Sequence, residues 1–265
     1  MLDKFNRQIT YLRISVTDKC NLRCTYCMPP EGINVRSHDD FLSFEEIVEV
    51  VKAAVSLGIN KIRLTGGEPL VKRGIIELVR MINRLEGVEH LAMTTNGTLL
   101  EQVAEALKEA GLDSMNISLD TLDAERYHRL TRGGDINIVF RGIQAALEAG
   151  FPLKLNMVIL ENTAPPEITK MEEFCSSMGI KLQLINHYSL TEQKKNNYCF
   201  NRPPDCSRCN RLRLLAGGEL KPCLHSDIEI KVDFDNIEAS LLKAVAGKPE
   251  KGSVCLRRNI VEIGG

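Results

Sequence analysis

No tryptophan, no low-complexity tract and no long apolar run occurs in the 265-residue chain. Its hydrophobic stretches fall short of the about 20 residues that cross a bilayer, which excludes a membrane-spanning helix. The opening residues, Met1–Arg7, carry no signal-peptide apolar region, so the chain is expected to act in the cytoplasm. An excess of one charge is missing too: 34 Lys and Arg stand against 35 Asp and Glu, a net charge of −1. That balance excludes general attraction to nucleic acid or membrane surfaces and leaves room for a local basic pocket. The hydrophobic share of 43% and charged share of 26% are those of an ordinary globular protein, one large domain or one with a small appendage. Cysteine is not scarce. Nine thiols in a chain without export signals read as metal ligands in a reducing compartment rather than as disulfides.

Three of them fall in Cys20-Asn21-Leu22-Arg23-Cys24-Thr25-Tyr26-Cys27, spaced C-x3-C-x2-C directly after the strand-like run ending at Thr17. A loop leaving a strand can wrap three thiolates around one soft metal centre. Structural zinc normally takes four protein ligands, and no fourth Cys or His lies near this loop. Iron–sulfur cubanes are held by Cys thiolates, usually four. Three in one loop suggest a 4Fe-4S cluster with one iron left for a ligand that is not protein. The plainer alternative is a zinc knuckle with a distant fourth ligand, or three inert thiols in a core. The loop, with an aromatic Tyr26 before its last Cys, resembles the signature of the radical S-adenosylmethionine (SAM) enzymes. The resemblance implies that the open iron chelates the amino and carboxylate groups of SAM. It also implies that the reduced cluster cleaves SAM to a 5′-deoxyadenosyl radical, for which an electron donor is needed.

Elsewhere short β-branched runs alternate with longer amphipathic ones. Strands are predicted at 11–17, 61–65, 90–94, 115–119, 153–159 and 180–185, and helices near 43–57, 72–86, 99–110, 123–130, 136–149 and 166–178. Ser43 with Glu46 forms a capping-box signature, and Gly58, Gly111 and Gly150 stand where helix C-caps favour glycine. Six strand–helix units imply an α/β fold with a parallel sheet and right-handed crossovers. An open doubly wound sheet or a curved partial barrel would both satisfy the pattern; the resemblance implies a partial (β/α)6 TIM-type barrel. In either, function gathers at the C-terminal strand ends.

The second strand ends in Thr65-Gly66-Gly67-Glu68-Pro69. Paired glycines let backbone approach a ligand, and Glu68 can accept from an ammonium group. Beside the cysteine loop this looks like the family's motif for the methionine amine of SAM. Thr94-Thr95-Asn96-Gly97 and Asn116–Asp120 put further small polar groups at strand ends; singly they are turns and caps. Basic residues recur on the same strands: Arg13, Lys61 with Arg63, and Lys154. Lys61, Arg63 and Thr65 share one face, an odd pattern for a strand buried on both sides. Ion pairing with nearby acids would explain it, and so would an interior site for a polyanionic, phosphorylated substrate.

After Leu190 the alternation ends, and Leu190–Arg202 reads as a loop over the barrel mouth. A second cysteine set follows: Cys206 and Cys209 in Cys206–Leu214, then Cys223, a C-x2-C-x13-C spacing. On spacing alone it suits zinc, with Cys199, His225 or Cys255 as fourth ligand. The set continues C-x2-C-x-R-x-R, and the sequence finishes Ile263-Gly264-Gly265. Together these are similar to the GTP 3′,8-cyclase family of molybdenum cofactor synthesis. The resemblance implies a division into a radical SAM barrel at 1–190 and a C-terminal region at 191–265 holding a second 4Fe-4S cluster. It implies GTP contacts at Arg13, Lys61, Arg63, Thr94, Lys154, Arg211 and Arg213, with Gly264 and Gly265 reaching the site. Arg211 and Arg213 would also act in turnover. SAM contacts are implied at Tyr26, Gly66, Gly67, Glu68, Ser118 and Tyr188.

The sequence departs from that family at Gln183, where it has an Arg, at Tyr188, where it has a Met, and in a shorter stretch before Cys206. A shortened relative acting on another nucleotide or a peptide is the alternative enzyme. An iron–sulfur electron carrier is the non-enzymatic one, and it would need no cofactor pocket. Cys175 reads as a small buried hydrophobe.

Overall fold

The six strand–helix units appear as such in the computed structural model, which describes residues 1–33, 37, 40–193, 199–200 and 205–264. The strands are β1 (Tyr11–Ser15), β2 (Lys61–Thr65), β3 (His90–Thr95), β4 (Ser114–Ser118), β5 (Leu153–Ile159) and β6 (Lys181–Asn186). The helices are α1 (Phe44–Ser56), α2 (Ile75–Asn83), α3 (Leu100–Glu109), α4 (Ala124–Thr131), α5 (Ile136–Glu148) and α6 (Pro165–Ser177). Local chemistry sets their ends. Ser43 and Glu46 close the capping box of α1 from both sides. Gly58 takes φ +88° just beyond that helix, a left-handed conformation that a β-carbon would oppose. Two elements, β1 and α2, differ from the sequence expectation by more than one residue. β1 stops at Ser15, because Val16 already donates to the end of β2 at Thr65 (3.0 Å). Helix α2 starts late, after a 3-10 turn at Pro69–Val71.

Strands β1 to β6 are parallel and lie in sequence order. The strand–helix alternation ends at Leu190, but the sheet continues. Arg211–Leu214 (β7) pairs parallel with the free side of β1, and β8 (Glu219–Lys221) and β9 (Ile230–Lys231) add antiparallel strands beyond it. The nine-stranded sheet runs β6-β5-β4-β3-β2-β1-β7-β8-β9 and stays open between β6 and β9, a partial barrel. Two helices follow, α7 (Ile237–Ala246) and α8 (Ile260–Ile263).

One face of this sheet is apolar. Leu12, Ile14, Ile62, Leu64, Met93, Met115, Ile117, Leu155, Leu212 and Leu214 are fully buried beneath the helices. Each is worth roughly 1.5–3 kcal/mol of transfer free energy. The other face lines the barrel and is mostly polar, which resolves the odd alternation in β2. Cys175 is buried in the core cluster at the end of α6. Residues 194–198 and 201–204, most of the expected cover loop, lie outside the described residues.

Candidate active site

Sequence places Cys20, Cys24 and Cys27 just past the C-terminal end of β1, and there they line one cavity of about 180 Å³. The loop is docked rather than free. Thr25 and Arg23 donate their N–H groups to Leu130 (2.9 Å) and Thr131 (3.1 Å), carbonyls at the C-terminal end of α4 that the helix leaves unpaired. Arg132, left-handed at φ +52°, spans the loop from outside, donating to the carbonyls of Arg23 (2.9 Å) and Met28 (2.8 Å). Leu22 N–H (3.4 Å) and the Asn96 amide (3.9 Å) point at Cys20 Sγ. Burial, then Asp120 and Cys20, push the Cys24 thiol up to about 12; burial, Cys24 and Asp120 drive Cys27 well above its usual range. Burial and Glu68 likewise raise Cys20. These thiols become thiolates only when a cation takes the proton's place.

The Gly66-Gly67 turn closes against this loop. Gly67 N–H donates to Thr17 (2.8 Å) and Glu68 N–H to Lys19 (2.9 Å). A β-carbon on Gly67 would lie 2.6 Å from the Asp18 carbonyl oxygen and closer still to that of Lys19. Gly67→Ala is therefore expected to part the two strand-end loops, costing about 1–3 kcal/mol by overpacking. The check is reconstitution: less iron bound and weaker SAM binding, with the helical circular dichroism kept. Gly66 and Gly67 line the cavity with Thr65, Thr94, Asn96, Ser118, Tyr26 and Tyr188. Glu68 stands behind the wall instead. Its carboxylate accepts from Thr95 Oγ1 (2.7 Å), Asn96 N–H (2.6 Å) and Leu70 N–H (3.0 Å), and burial lifts it to about 7. It braces the ends of β2 and β3. Tyr26 donates its hydroxyl to Asp120 (2.5 Å), which also accepts from Val158 N–H and which burial lifts to about 6.

Deeper in the barrel the register sets Arg63, Arg13 and Arg213 abreast on β2, β1 and β7. All three are over nine-tenths buried. Arg63 donates to the Tyr11 hydroxyl, the Met93 carbonyl (3.0 Å) and Thr94 Oγ1 (3.2 Å). Arg211 stacks over the Tyr11 ring at 5.8 Å. Burial, and then the opposing influence of Tyr11 and the like charge of Arg211 and Arg63, leave Arg13 at about 10. Arg213 also falls to about 10, by burial and then by Arg13; what opposes the fall is Tyr188, Cys209 and Cys223. Tyr11 and Tyr188, with the thiols of Cys209 and Cys223, bear on these guanidiniums. Such a row is an anion site. On the far side, Asn156 Oδ1 accepts from Asn116 (3.1 Å) and Gln183 (2.9 Å), a neutral amide ladder across β4, β5 and β6. Lys61 and Lys154 sit on the same inner face but are exposed, at the N-terminal ends of their strands.

The tail reaches this row. Arg13 Nη2 donates to the Gly264 carbonyl (3.0 Å), and a β-carbon on Gly264 would press on Thr65 Cγ2 at 2.5 Å. Gly265 lies outside the described residues. Arg258 holds the segment, paired with Glu229 (2.8 Å) and reaching Glu262 (3.5 Å) in α8.

Cys206, Cys209 and Cys223 line a second cavity, of about 50 Å³, with Arg7, Arg211, Arg213, His225 and Lys248. Tyr188 separates the two cavities: it lines the first and packs its ring edge against His225 at 5.2 Å. Cys255 is buried in an apolar cluster with Leu190, Leu215, Leu224 and Ile263, and Cys199 is exposed; neither lines the second cavity. Arg7, Tyr11, Asp120, Arg132 and Lys248 carry no motif. Lys248 lies one residue past the C-cap of α7, and no motif in the sequence marks it.

Among the described residues no three His, Cys, Asp or Glu side chains converge tightly enough to hold one metal ion. Each triad nevertheless shares a cavity. Cubane ligands bind separate irons, one thiolate each, so the donor set fits an iron–sulfur cluster. Residues 14–175, more than half the chain, match the Radical SAM superfamily, and the chain belongs to that superfamily. It is an enzyme of the radical SAM class, for which SAM and an iron–sulfur cluster are the cofactors implied. Within that class it is similar along its length to GTP 3′,8-cyclases. That of Alkaliphilus oremlandii (strain OhILAs) is 39% identical over 300 aligned positions, covering 95% of this chain and 94% of that protein. That of Petrotoga mobilis (strain DSM 10674 / SJ95) is 36% identical over 323 positions and all of both chains. At least 58 of those 323 positions therefore hold no residue of this 265-residue chain. The fold matches Streptococcus suis SuiB bound to SAM (TM-score 0.71, 16% identity, 93% of this chain and 66% of that one). It also matches anSMEcpe with bound SAM (TM-score 0.67, 19% identity, 91% of this chain and 78% of that one). No helix among the described residues is long and apolar enough to cross a membrane.

Proposed function

We propose that the enzyme cyclises GTP to (8S)-3′,8-cyclo-7,8-dihydroguanosine 5′-triphosphate, in molybdenum cofactor synthesis in the cytoplasm, with two 4Fe-4S clusters. Cys20, Cys24 and Cys27 would hold one cluster in the barrel part, residues 1–190. Cys206, Cys209 and Cys223 would hold the other in the part after 190, leaving one iron without a protein ligand. The observation that carries this reading is the row Arg63, Arg13 and Arg213 between the two thiol triads. Three buried guanidiniums set abreast suit a triphosphate. When bound and reduced, the first cluster with SAM supplies the 5′-deoxyadenosyl radical that takes hydrogen from the substrate.

The chain's own contribution is placement. The loops carrying Thr65, Gly66, Gly67, Asn96 and Ser118 would wall the SAM site. Arg13 and Arg213 would hold the anion from below, while Gly264, fixed by Arg13, narrows the space between. Alignment and exclusion of water supply the rate, since hydrogen abstraction needs no protein acid or base. Thr94, joined to Arg63, would position the substrate too. Lys61 and Lys154 would meet only the outermost charge.

Gln183 and the missing positions favour a second reading, a shortened cyclase acting on another nucleotide. An arginine lost from a triphosphate site removes a contact worth about 1.5–3 kcal/mol. Anaerobic turnover of the reconstituted enzyme with an electron donor, SAM and GTP decides between them by liquid chromatography and mass spectrometry. A product isomeric with GTP, formed one-for-one with 5′-deoxyadenosine, is expected. 5′-Deoxyadenosine with GTP untouched would send the search to another substrate.

A further inference from the structure

Lys248 is 1% exposed, and its ammonium donates to the carbonyls of Arg211 (2.6 Å) and Pro222 (2.7 Å) and points at Cys209 Sγ (3.7 Å). Those two carbonyls lie on the segments that carry Cys209 and Cys223. Among the described residues no carboxylate pairs with it. A buried ammonium without a counter-charge is costly, so its counter-ion must be the thiolates themselves. Arg7 grips the same region from the other side, donating to the carbonyls of Cys206 (2.8 Å), Pro249 (2.8 Å) and Glu250 (3.1 Å), but its charge is offset by Asp3 at 2.6 Å. With Arg211 and Arg213 also on the wall, Lys248 gives this triad a cationic surround. Around Cys20, Cys24 and Cys27 the field has the opposite sign. Glu68 and Asp120 bear on those thiols, opposed by Arg132 on the exposed side of the loop.

Cluster potentials follow net charge and hydrogen bonds to sulfur: positive neighbours and N–H donors favour the reduced, more negative state. We infer that Lys248 is a positioning residue whose charge, with those of Arg211 and Arg213, makes the cluster held by Cys206, Cys209 and Cys223 the more easily reduced of the two. The inference rests on the two-cluster reading. Under a limiting supply of electrons this cluster fills first and keeps its electron beside the substrate row, while the cluster at Cys20, Cys24 and Cys27 is reduced last.

The test is a potentiometric titration with dithionite and mediators, read by electron paramagnetic resonance. It uses the full-length chain and a full-length C20A/C24A/C27A variant that retains only the second triad. Iron and sulfide analysis comes first. About four irons in the triple variant confirm a second cluster, and none would end the two-cluster reading without touching Lys248. In the unmodified chain the second cluster should be reduced at the higher potential. Lys248→Gln, which keeps N–H donors for Arg211 and Pro222 but drops the charge, should lower the reduced fraction at fixed poise about tenfold, 59 mV for one electron. Lys248→Arg should restore it. Full iron content with an unshifted potential in Lys248→Gln, or the reverse order of reduction in the unmodified chain, overturns the inference.

Discussion

A Cys24→Ala variant should form no 5′-deoxyadenosine when reduced in the presence of SAM, and should bind about four irons where the unmodified chain binds about eight. Cys24 stands between two other thiols in a loop of eight residues, so its loss leaves a pair that cannot hold three corners of a cubane. No other cysteine lines the cavity of Cys20, Cys24 and Cys27. The thiols of Cys175 and Cys255 are buried in separate apolar clusters, and Cys199 lines neither cavity. The fold should survive, because the loop is fastened by Arg132 and by the carbonyls of Leu130 and Thr131 rather than by its thiols. An unchanged melting temperature with total loss of SAM cleavage is the expected pair of results. Cys199→Ala, at an exposed position, is the matched control and should keep both clusters and full cleavage. Continued 5′-deoxyadenosine formation by Cys24→Ala would remove the loop from the radical-generating role.

Much of this was legible in the sequence for physical reasons. Parallel strands buried under helices are runs of Val, Ile and Leu, and glycine at 58, 111 and 150 marks the helix ends because only glycine takes left-handed φ without cost there. β7 was not legible. Its four residues alternate Arg and Leu, too short a run to set against the cysteine loop before it, and its place beside β1 depends on pairing across some 200 residues of chain. The row Arg63, Arg13 and Arg213 exists only through that pairing. Nor could the sequence show that Arg13 meets Gly264, that Glu68 turns its carboxylate to its own neighbours, or that Lys248 is buried. A lysine after a helix is ordinarily a solvated end charge. Motifs reported which atoms can do chemistry; register and burial decided where they stand.

The Arg row gives the second large expected effect, in two measurements that move in opposite directions. Arg213 is 6% exposed, lies level with Arg13 across β1 and β7, and has no hydrogen-bond partner at Nε. Burial, then Arg13, hold it at about 10, which still leaves it charged at neutral pH. In the unliganded protein this guanidinium is therefore a cost. Replacing it by Met, similar in length and without charge, should leave the melting temperature unchanged or raise it by a few degrees, at about 2–4 °C per kcal/mol for a chain of this size. The nucleotide should suffer the reverse. A charge-assisted contact contributes about 1.5–3 kcal/mol, so GTP should bind about ten- to a hundredfold more weakly and its cyclisation should fall at least as far. SAM cleavage uncoupled from GTP should persist, because Arg213 does not line the cavity of Cys20, Cys24 and Cys27. A residue that served only the fold would lower stability and spare the nucleotide. Lower stability with unchanged GTP affinity would thus take Arg213 out of the anion site, and the triphosphate with it.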